Sequence, residues 1–224
     1  MYDELDRVSS IYQRISANST ETLAYRFVYN NEGDLYELRN YKTLRATFFE
    51  YDHGGRCVAS REKSFTVSGS SVTYGTMVSG YRYEYDANNN LSKLSCSQNG
   101  TTWSTVYTYD GDNRPKTTTL SNGKLITNTY DAIGRLTQKR IGLSSNYDTT
   151  LTYMDGANGS KTALLSTYKN GTDGAYSYTY DDNGNITSIT QGTATTTYTY
   201  DTANQLVRED IYLSSGNTGN KNKM

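Results

Sequence analysis

The chain has 224 residues, and its 22 Lys and Arg against 23 Asp and Glu leave a formal net charge of −1. No basic run or lopsided half is available to meet a phosphate backbone, which argues against a nucleic-acid partner. No apolar stretch approaches the roughly eighteen residues that cross a bilayer as a helix, so no membrane insertion is expected, and the opening MYDELDRVSS lacks a basic-then-apolar targeting signal. The composition of 23 Tyr with only 4 Phe, 1 Trp and 1 Pro favours strands, and the aliphatic residues needed for a compact core are few.

Along the chain the dipeptide Tyr-Asp recurs at Tyr2, Tyr51, Tyr85, Tyr109, Tyr130, Tyr180 and Tyr200. Tyr29-Asn30 is a conservative variant, and Tyr153-Met154-Asp155 is a degenerate copy with one residue inserted. The nine anchors lie 20 to 34 residues apart, the spacing of a repeat array rather than of a two-domain enzyme. The array is expected over residues 1–213, followed by a polar tail or linker at 214–224.

With the anchor tyrosine counted as zero, position four is Asp6, Gly33, Gly55, Asn89, Asn113, Gly134, Gly184 or Asn204. These residue types tolerate positive φ, so each YDxxG segment reads as a type I turn closed by a left-handed residue. Such a corner sets position one opposite position five and the tyrosine opposite position six. Arg7, Arg56, Arg114 and Arg135 at position five then face Asp3, Asp52, Asp110 and Asp131 as exposed cross-strand pairs. Position six is mostly aliphatic (Val8, Leu35, Leu91, Leu136, Ile186, Leu206), with Cys57 and Pro115 as departures.

Upstream of the corners, Tyr81, Tyr83 and Tyr85, and likewise Tyr176, Tyr178 and Tyr180, alternate with period two and share one strand face. At the other strand ends Asn99-Gly100, Asn122-Gly123 and Asn170-Gly171 signal tight hairpins, giving a continuous antiparallel meander. The three-residue spacing of Leu35/Leu38, Leu91/Leu94 and Ile186/Ile189 breaks strict alternation; a bulge after the turn or burial of both faces would each account for it. The stretch FTVSGSSVTYG between Tyr51 and Tyr85 reads as an eroded hairpin. So many strands in one sheet would exceed the ten or so an open sheet holds without curling, so a strongly curved, spiralling all-β sheet is expected.

Functional chemistry is sparse. Cys57 and Cys96 lack CxxC spacing, and both free thiols and a bridge are compatible with the sequence. His53, the single histidine, reads as a turn residue. Asp110-Gly111-Asp112-Asn113 and Asp181-Asp182-Asn183-Gly184-Asn185 gather oxygen ligands, but turn chemistry explains both, and no metal or cofactor is expected. Asn-x-Ser/Thr triplets at Asn18, Asn99, Asn158, Asn170 and Asn185 fit a chain this rich in Asn, Ser and Thr. GxSxG, Walker A and GxGxxG patterns are absent, and no catalytic residue is assigned. The candidate structural-turn residues are Tyr109, Asp110, Asn113, Arg114, Tyr130, Asp131, Gly134, Arg135, Tyr180, Asp181 and Gly184. Tyr81, Tyr83, Tyr85, Tyr176 and Tyr178 are candidates for stacking a carbohydrate, with stacking across strands as the simpler reading.

The tandem YxYDxxGRL units, clearest at residues 107–114, 128–136 and 178–186, resemble the YD repeats of the rearrangement-hotspot (RHS) family, from the first residues to about residue 213. The resemblance implies a section of a β-sheet that spirals into a hollow shell, in secreted or cell-surface bacterial proteins and in the animal teneurins. In toxin members the shell encloses a C-terminal effector released by self-cleavage at a motif containing Asp-Pro-x-Gly. Nothing here matches that motif, so the resemblance implies a non-catalytic excerpt whose partners are a flanking RHS core and the effector of the same protein. Self-association through unpaired sheet edges is a further expectation. A cell-surface adhesion or carbohydrate-binding module is the alternative.

Overall fold

A computed structural model describes residues 1–14, 16, 19–142 and 147–213. The tail expected at 214–224 and the triplet at Asn18 lie outside the described residues. Seventeen strands and no α-helix occur among them, as the Tyr- and Thr-rich composition predicts. Contacts group into two compact units, Met1–Asn113 and Arg114–Met224.

The first unit carries β1 (Ser10–Gln13), β2 (Thr22–Tyr29), β3 (Leu35–Asn40), β4 (Arg45–Tyr51), β5 (Cys57–Ser68), β6 (Ser71–Tyr85), β7 (Leu91–Gln98) and β8 (Thr101–Tyr109). Each pairs antiparallel with the next. The second unit repeats the plan with β9 (Pro115–Thr119), β10 (Leu125–Tyr130), β11 (Leu136–Ile141), β12 (Thr149–Asp155), β13 (Lys161–Asn170), β14 (Tyr176–Tyr180), β15 (Ile186–Gln191), β16 (Ala194–Tyr200) and β17 (Leu206–Leu213). Its strands are likewise antiparallel neighbours in chain order.

Register follows the corners. Tyr29 pairs with Leu35, Tyr51 with Cys57, Tyr85 with Leu91, Tyr130 with Leu136, Tyr180 with Ile186 and Tyr200 with Leu206. At every one of these the register then slips by one residue: Val28 pairs with Glu37, leaving Tyr36 as the extra residue of a bulge. Phe27 therefore meets Leu38 while Tyr29 meets Leu35, so both leucines share one face. The bulge accounts for the three-residue spacing.

The far strand ends are less uniform than the Asn-Gly dipeptides suggest. Asn99 (φ 49°) and Gly100 (φ 79°) do form a two-residue turn between Gln98 and Thr101, with both residues left-handed. At Asn122-Gly123 only Gly123 is left-handed, and Leu120 N–H donates to the Lys124 carbonyl (2.9 Å), a three-residue loop of the corner type. Gly171 N–H donates to the Asp148 carbonyl of the preceding loop (2.7 Å), which holds the chain to β12 and postpones closure until Tyr176 opens β14. The degenerate Tyr153 corner is longer too. Asp155 pairs with Lys161 across it, and Tyr153 meets Leu165.

Few side chains are buried: Ala24, Ala46, Ala59 and Phe65 are the buried apolar residues among those described. Within the first unit, the stretch read as an eroded hairpin packs over neighbouring strands. β5 and β6 run 12 and 15 residues and turn at Gly69-Ser70, with Ser68 opposite Ser71. Their distal ends pack against the β3–β4 hairpin: Phe65 meets Tyr41 of its turn edge-on at 5.2 Å, and Tyr74 meets Phe48 of β4 at 5.1 Å. Beneath them Glu37 is 3 % exposed, bound by Arg39 Nε (2.7 Å) and Nη2 (2.8 Å) and by the Tyr74 hydroxyl. Burial, then the bond to Glu37, pushes the Tyr74 phenol up to about 12 and keeps it a donor at neutral pH.

Candidate functional site

The recurring site is the corner itself. At Asp131, the backbone N–H donates to the Arg135 carbonyl (2.9 Å), and the Asp131 carbonyl accepts from Gly134 N–H (3.0 Å). Gly134 has φ 89°, Gly184 φ 83° and Asn113 φ 60°. The Asp131 carboxylate accepts from Ile133 N–H (3.1 Å) and Arg135 N–H (2.9 Å) through Oδ1, and from Arg135 Nε (2.6 Å) through Oδ2. One short side chain thus satisfies two turn amides and fixes the residue that leaves the turn.

Asp3 and Asp52 repeat this set with Arg7 and Arg56. These ion pairs are half-buried rather than exposed: in the Asp131–Arg135 pair the side chains are 22 % and 18 % exposed. At Asp86 and Asp181 an asparagine fills position five, with Asn90 Nδ2 (3.1 Å) and Asn185 Nδ2 (2.9 Å) donating to Oδ2. At Asp110 the Asp112 N–H donates to Oδ1 (3.0 Å) and Asn113 N–H to the carbonyl (3.1 Å).

These bonds hold the carboxylates below their ordinary range. For Asp52 the Arg56 side chain is the first cause, and for Asp181 the Asn185 side chain. For Asp131 burial acts upward, and the bonds from Arg135 and Ile133 outweigh it.

Two further contacts link neighbouring repeats, the first at seven anchors and the second at four, and neither is evident in a single copy. The anchor hydroxyl donates to the position-six carbonyl of the preceding repeat. Tyr29 reaches Val8 (3.0 Å), Tyr51 Leu35 (2.9 Å), Tyr85 Cys57 (2.9 Å) and Tyr109 Leu91 (2.9 Å). In the second unit Tyr130 reaches Pro115 (2.8 Å), Tyr153 Leu136 (2.8 Å) and Tyr200 Ile186 (3.0 Å). Position-five arginines meanwhile lie over the next anchor ring: Arg7 over Tyr29 (4.2 Å), Arg56 over Tyr85 (4.7 Å), Arg114 over Tyr130 (4.7 Å) and Arg135 over Tyr153 (4.4 Å).

Where position five is asparagine, its amide donates instead to the next position-four residue, Asn90 to Asn113 (2.9 Å) and Asn185 to Asn204 (3.0 Å). The sequence signal for the hydroxyl ladder is the choice of Tyr over Phe at every anchor, since a ring that only packed would not need the oxygen.

The candidate stacking tyrosines divide in use. Tyr85 has its hydroxyl committed to the ladder, Tyr83 faces Leu94 across the sheet, and Tyr81 is 44 % exposed. Tyr176 packs on Tyr168 at 6.4 Å, and Tyr178 faces Ile189. Cys57 and Cys96 are free thiols. Among the described residues no group of three or more His, Cys, Asp or Glu is placed to hold a metal, and no helix is long and apolar enough to cross a membrane.

Fold and corner together define an antiparallel β-repeat protein. Residues 180–210, from the Tyr180 corner into β17, match the RHS Repeat family model, so the chain carries an RHS repeat, as its tandem YD units imply. No curated protein matched the chain significantly by sequence. Among solved structures, TcdB2-TccC3 without its hypervariable C-terminal region is similar over 93 % of this chain, with a TM-score of 0.54 and 13 % identity. TcdB2-TccC3-Cdc42 is similar over 97 %, with a TM-score of 0.53 and 14 % identity. At such identity the likeness is one of fold. This chain spans 14 % of the length of each of those chains.

Proposed function

We propose that the chain is a non-catalytic section of an RHS-type wall, spanning residues 1–213, in a secreted or surface bacterial protein, and that the longer protein encloses or displays a C-terminal effector. The observation that carries this reading is the hydroxyl ladder. In seven corners the anchor tyrosine spends its polar atom on the carbonyl of the preceding repeat. Residues 107–114, 128–136 and 178–186 then work as joints, with Asp131 and Asp181 accepting from turn amides and Arg135 donating to Asp131. A sheet joined this way extends by adding repeats, and its corner carboxylates are engaged in holding the turns. The RHS match and the fold shared with TcdB2-TccC3, solved in one case without its hypervariable C-terminal region, support the wall.

The test is limited proteolysis of the full-length gene product with mass spectrometry of the fragments. The region C-terminal to the repeats should resist cleavage while the sheet is folded and be cut rapidly once it is denatured. Equal cleavage in both states would overturn enclosure.

A further inference from the structure

Five Asn-Gly pairs occur in the chain, at Asn99, Asn122, Asn158, Asn170 and Asn183. Such a pair carries a latent reaction, because glycine has no side chain to hinder its own backbone nitrogen from reaching the preceding carboxamide. In sequence the five are equivalent at the reacting atoms. The fold makes them unequal.

At four of the pairs the glycine amide is committed. Gly123 N–H donates to the Leu120 carbonyl (2.9 Å), Gly171 N–H to the Asp148 carbonyl (2.7 Å) and Gly184 N–H to the Asp181 carbonyl (3.0 Å). Gly159 ends the 3-10 turn Ala157–Gly159, whose i→i+3 bonding takes up its amide. Three of the carboxamides are held as well. Asn122 Oδ1 accepts from Lys124 N–H (3.0 Å), Asn170 Oδ1 accepts from the Thr149 hydroxyl (3.2 Å), and Asn183 Nδ2 donates to Asn204 Oδ1 (3.0 Å).

Asn99-Gly100 differs on both counts. The pair is the two-residue tip between β7 and β8, and both residues are exposed. Among the described residues no hydrogen bond engages the Gly100 amide or the Asn99 carboxamide. Nothing lies within 4 Å of the Cβ that Gly100 lacks, so its peptide can rotate toward the side chain without collision.

We propose that Asn99 is a site of spontaneous covalent modification, a hairpin tip that converts by deamidation. The Gly100 nitrogen loses its proton to solvent base and attacks Asn99 Cγ. The new N–Cγ bond closes a succinimide ring, and the Cγ–Nδ2 bond breaks to release ammonia, which takes its third proton from water. A water molecule then opens the ring. Breaking the new N–Cγ bond leaves aspartate, whereas breaking the original peptide C–N bond leaves isoaspartate, whose main chain runs through Cβ and Cγ and is longer by one carbon. Either product places a carboxylate where the chain had a neutral amide. A two-residue turn has no slack for the added carbon, so isoaspartate draws Gln98 out of its pairing with Thr101 and frays the β7–β8 hairpin from its tip.

The experiment incubates the folded chain, and the chain unfolded in guanidinium, side by side at mildly alkaline pH. Digestion, chromatography and mass spectrometry then resolve asparagine, aspartate and isoaspartate at each pair. Unfolded, all five pairs should convert at comparable rates. Folded, Asn99 should convert about tenfold or more ahead of Asn122, Asn158, Asn170 and Asn183, because a committed amide reacts only after local opening. A second pair that keeps pace with Asn99 in the folded chain, or an Asn99 that stays intact when folded yet converts when unfolded, would overturn the assignment. The Asn99→Asp variant supplies the product with the normal backbone. The isoaspartyl form, isolated by chromatography, should melt at a lower temperature than that variant, since the two carry the same charge and differ only in backbone length; equal melts would overturn the effect on register.

Discussion

At the scale of single residues, the corner asks for two things: an oxygen that accepts from turn amides, and a backbone that tolerates positive φ. Gly184 separates the second demand from packing, because nothing lies within 4 Å of the Cβ it lacks, while its φ is 83°. Gly184→Val should cost about 1–3 kcal/mol, since a β-branched residue resists the left-handed region. Gly184→Asn should stay close to the parent, because Asn89, Asn113 and Asn204 already sit at φ 60–67° in the same place. Thermal melts of the two variants check this, and equal losses would show that the φ argument fails. The Asp oxygen and the left-handed residue were both legible, because they act within five consecutive residues. That Arg135 lies over Tyr153 was not, because its partner belongs to the neighbouring repeat.

Between elements, stability comes from links across strands rather than from a core. The Tyr200 hydroxyl donates to the Ile186 carbonyl at 3.0 Å. Tyr200→Phe keeps the ring and removes that bond, so it should cost about 0.5–1.5 kcal/mol in chemical denaturation; no change would mean that water replaces the hydroxyl freely. The β5–β6 hairpin carries a larger share. Phe65 is 2 % exposed under Tyr41 and Tyr74, and Phe65→Ala should cost about 3–5 kcal/mol by leaving a cavity. The sequence marked this stretch as a worn repeat. Its true role depends on strands long enough to reach β3 and β4, which periodicity along one strand does not encode.

Over the whole molecule, the corner carboxylates act together. Asp3, Asp52, Asp86, Asp131 and Asp181 are all lowered from 3.8 in the folded chain. The unfolded chain therefore binds more protons through this window, and stability rises with pH. The stabilisation is fully present above pH 3.8 and is lost as pH falls through the lower folded values. A melting-temperature series from pH 7 to pH 2.5 should stay level and then drop below about pH 4, less steeply in Asp181→Asn. A drop centred near pH 6 would point to a different group.

What the sequence determined on its own were the corners and the pairing they impose: Tyr opposite position six, Asp bound to position five, strands in between. These follow from interactions within a few residues, where side-chain chemistry and allowed φ leave one solution. Tertiary structure decided which neighbour each tyrosine hydroxyl and arginine would meet, where the Asn-Gly turns truly closed, and that one hairpin would fold over its own sheet. Those outcomes depend on residues 14 to 37 positions apart, brought together by strand register. Local composition cannot specify which strand lies alongside at that distance.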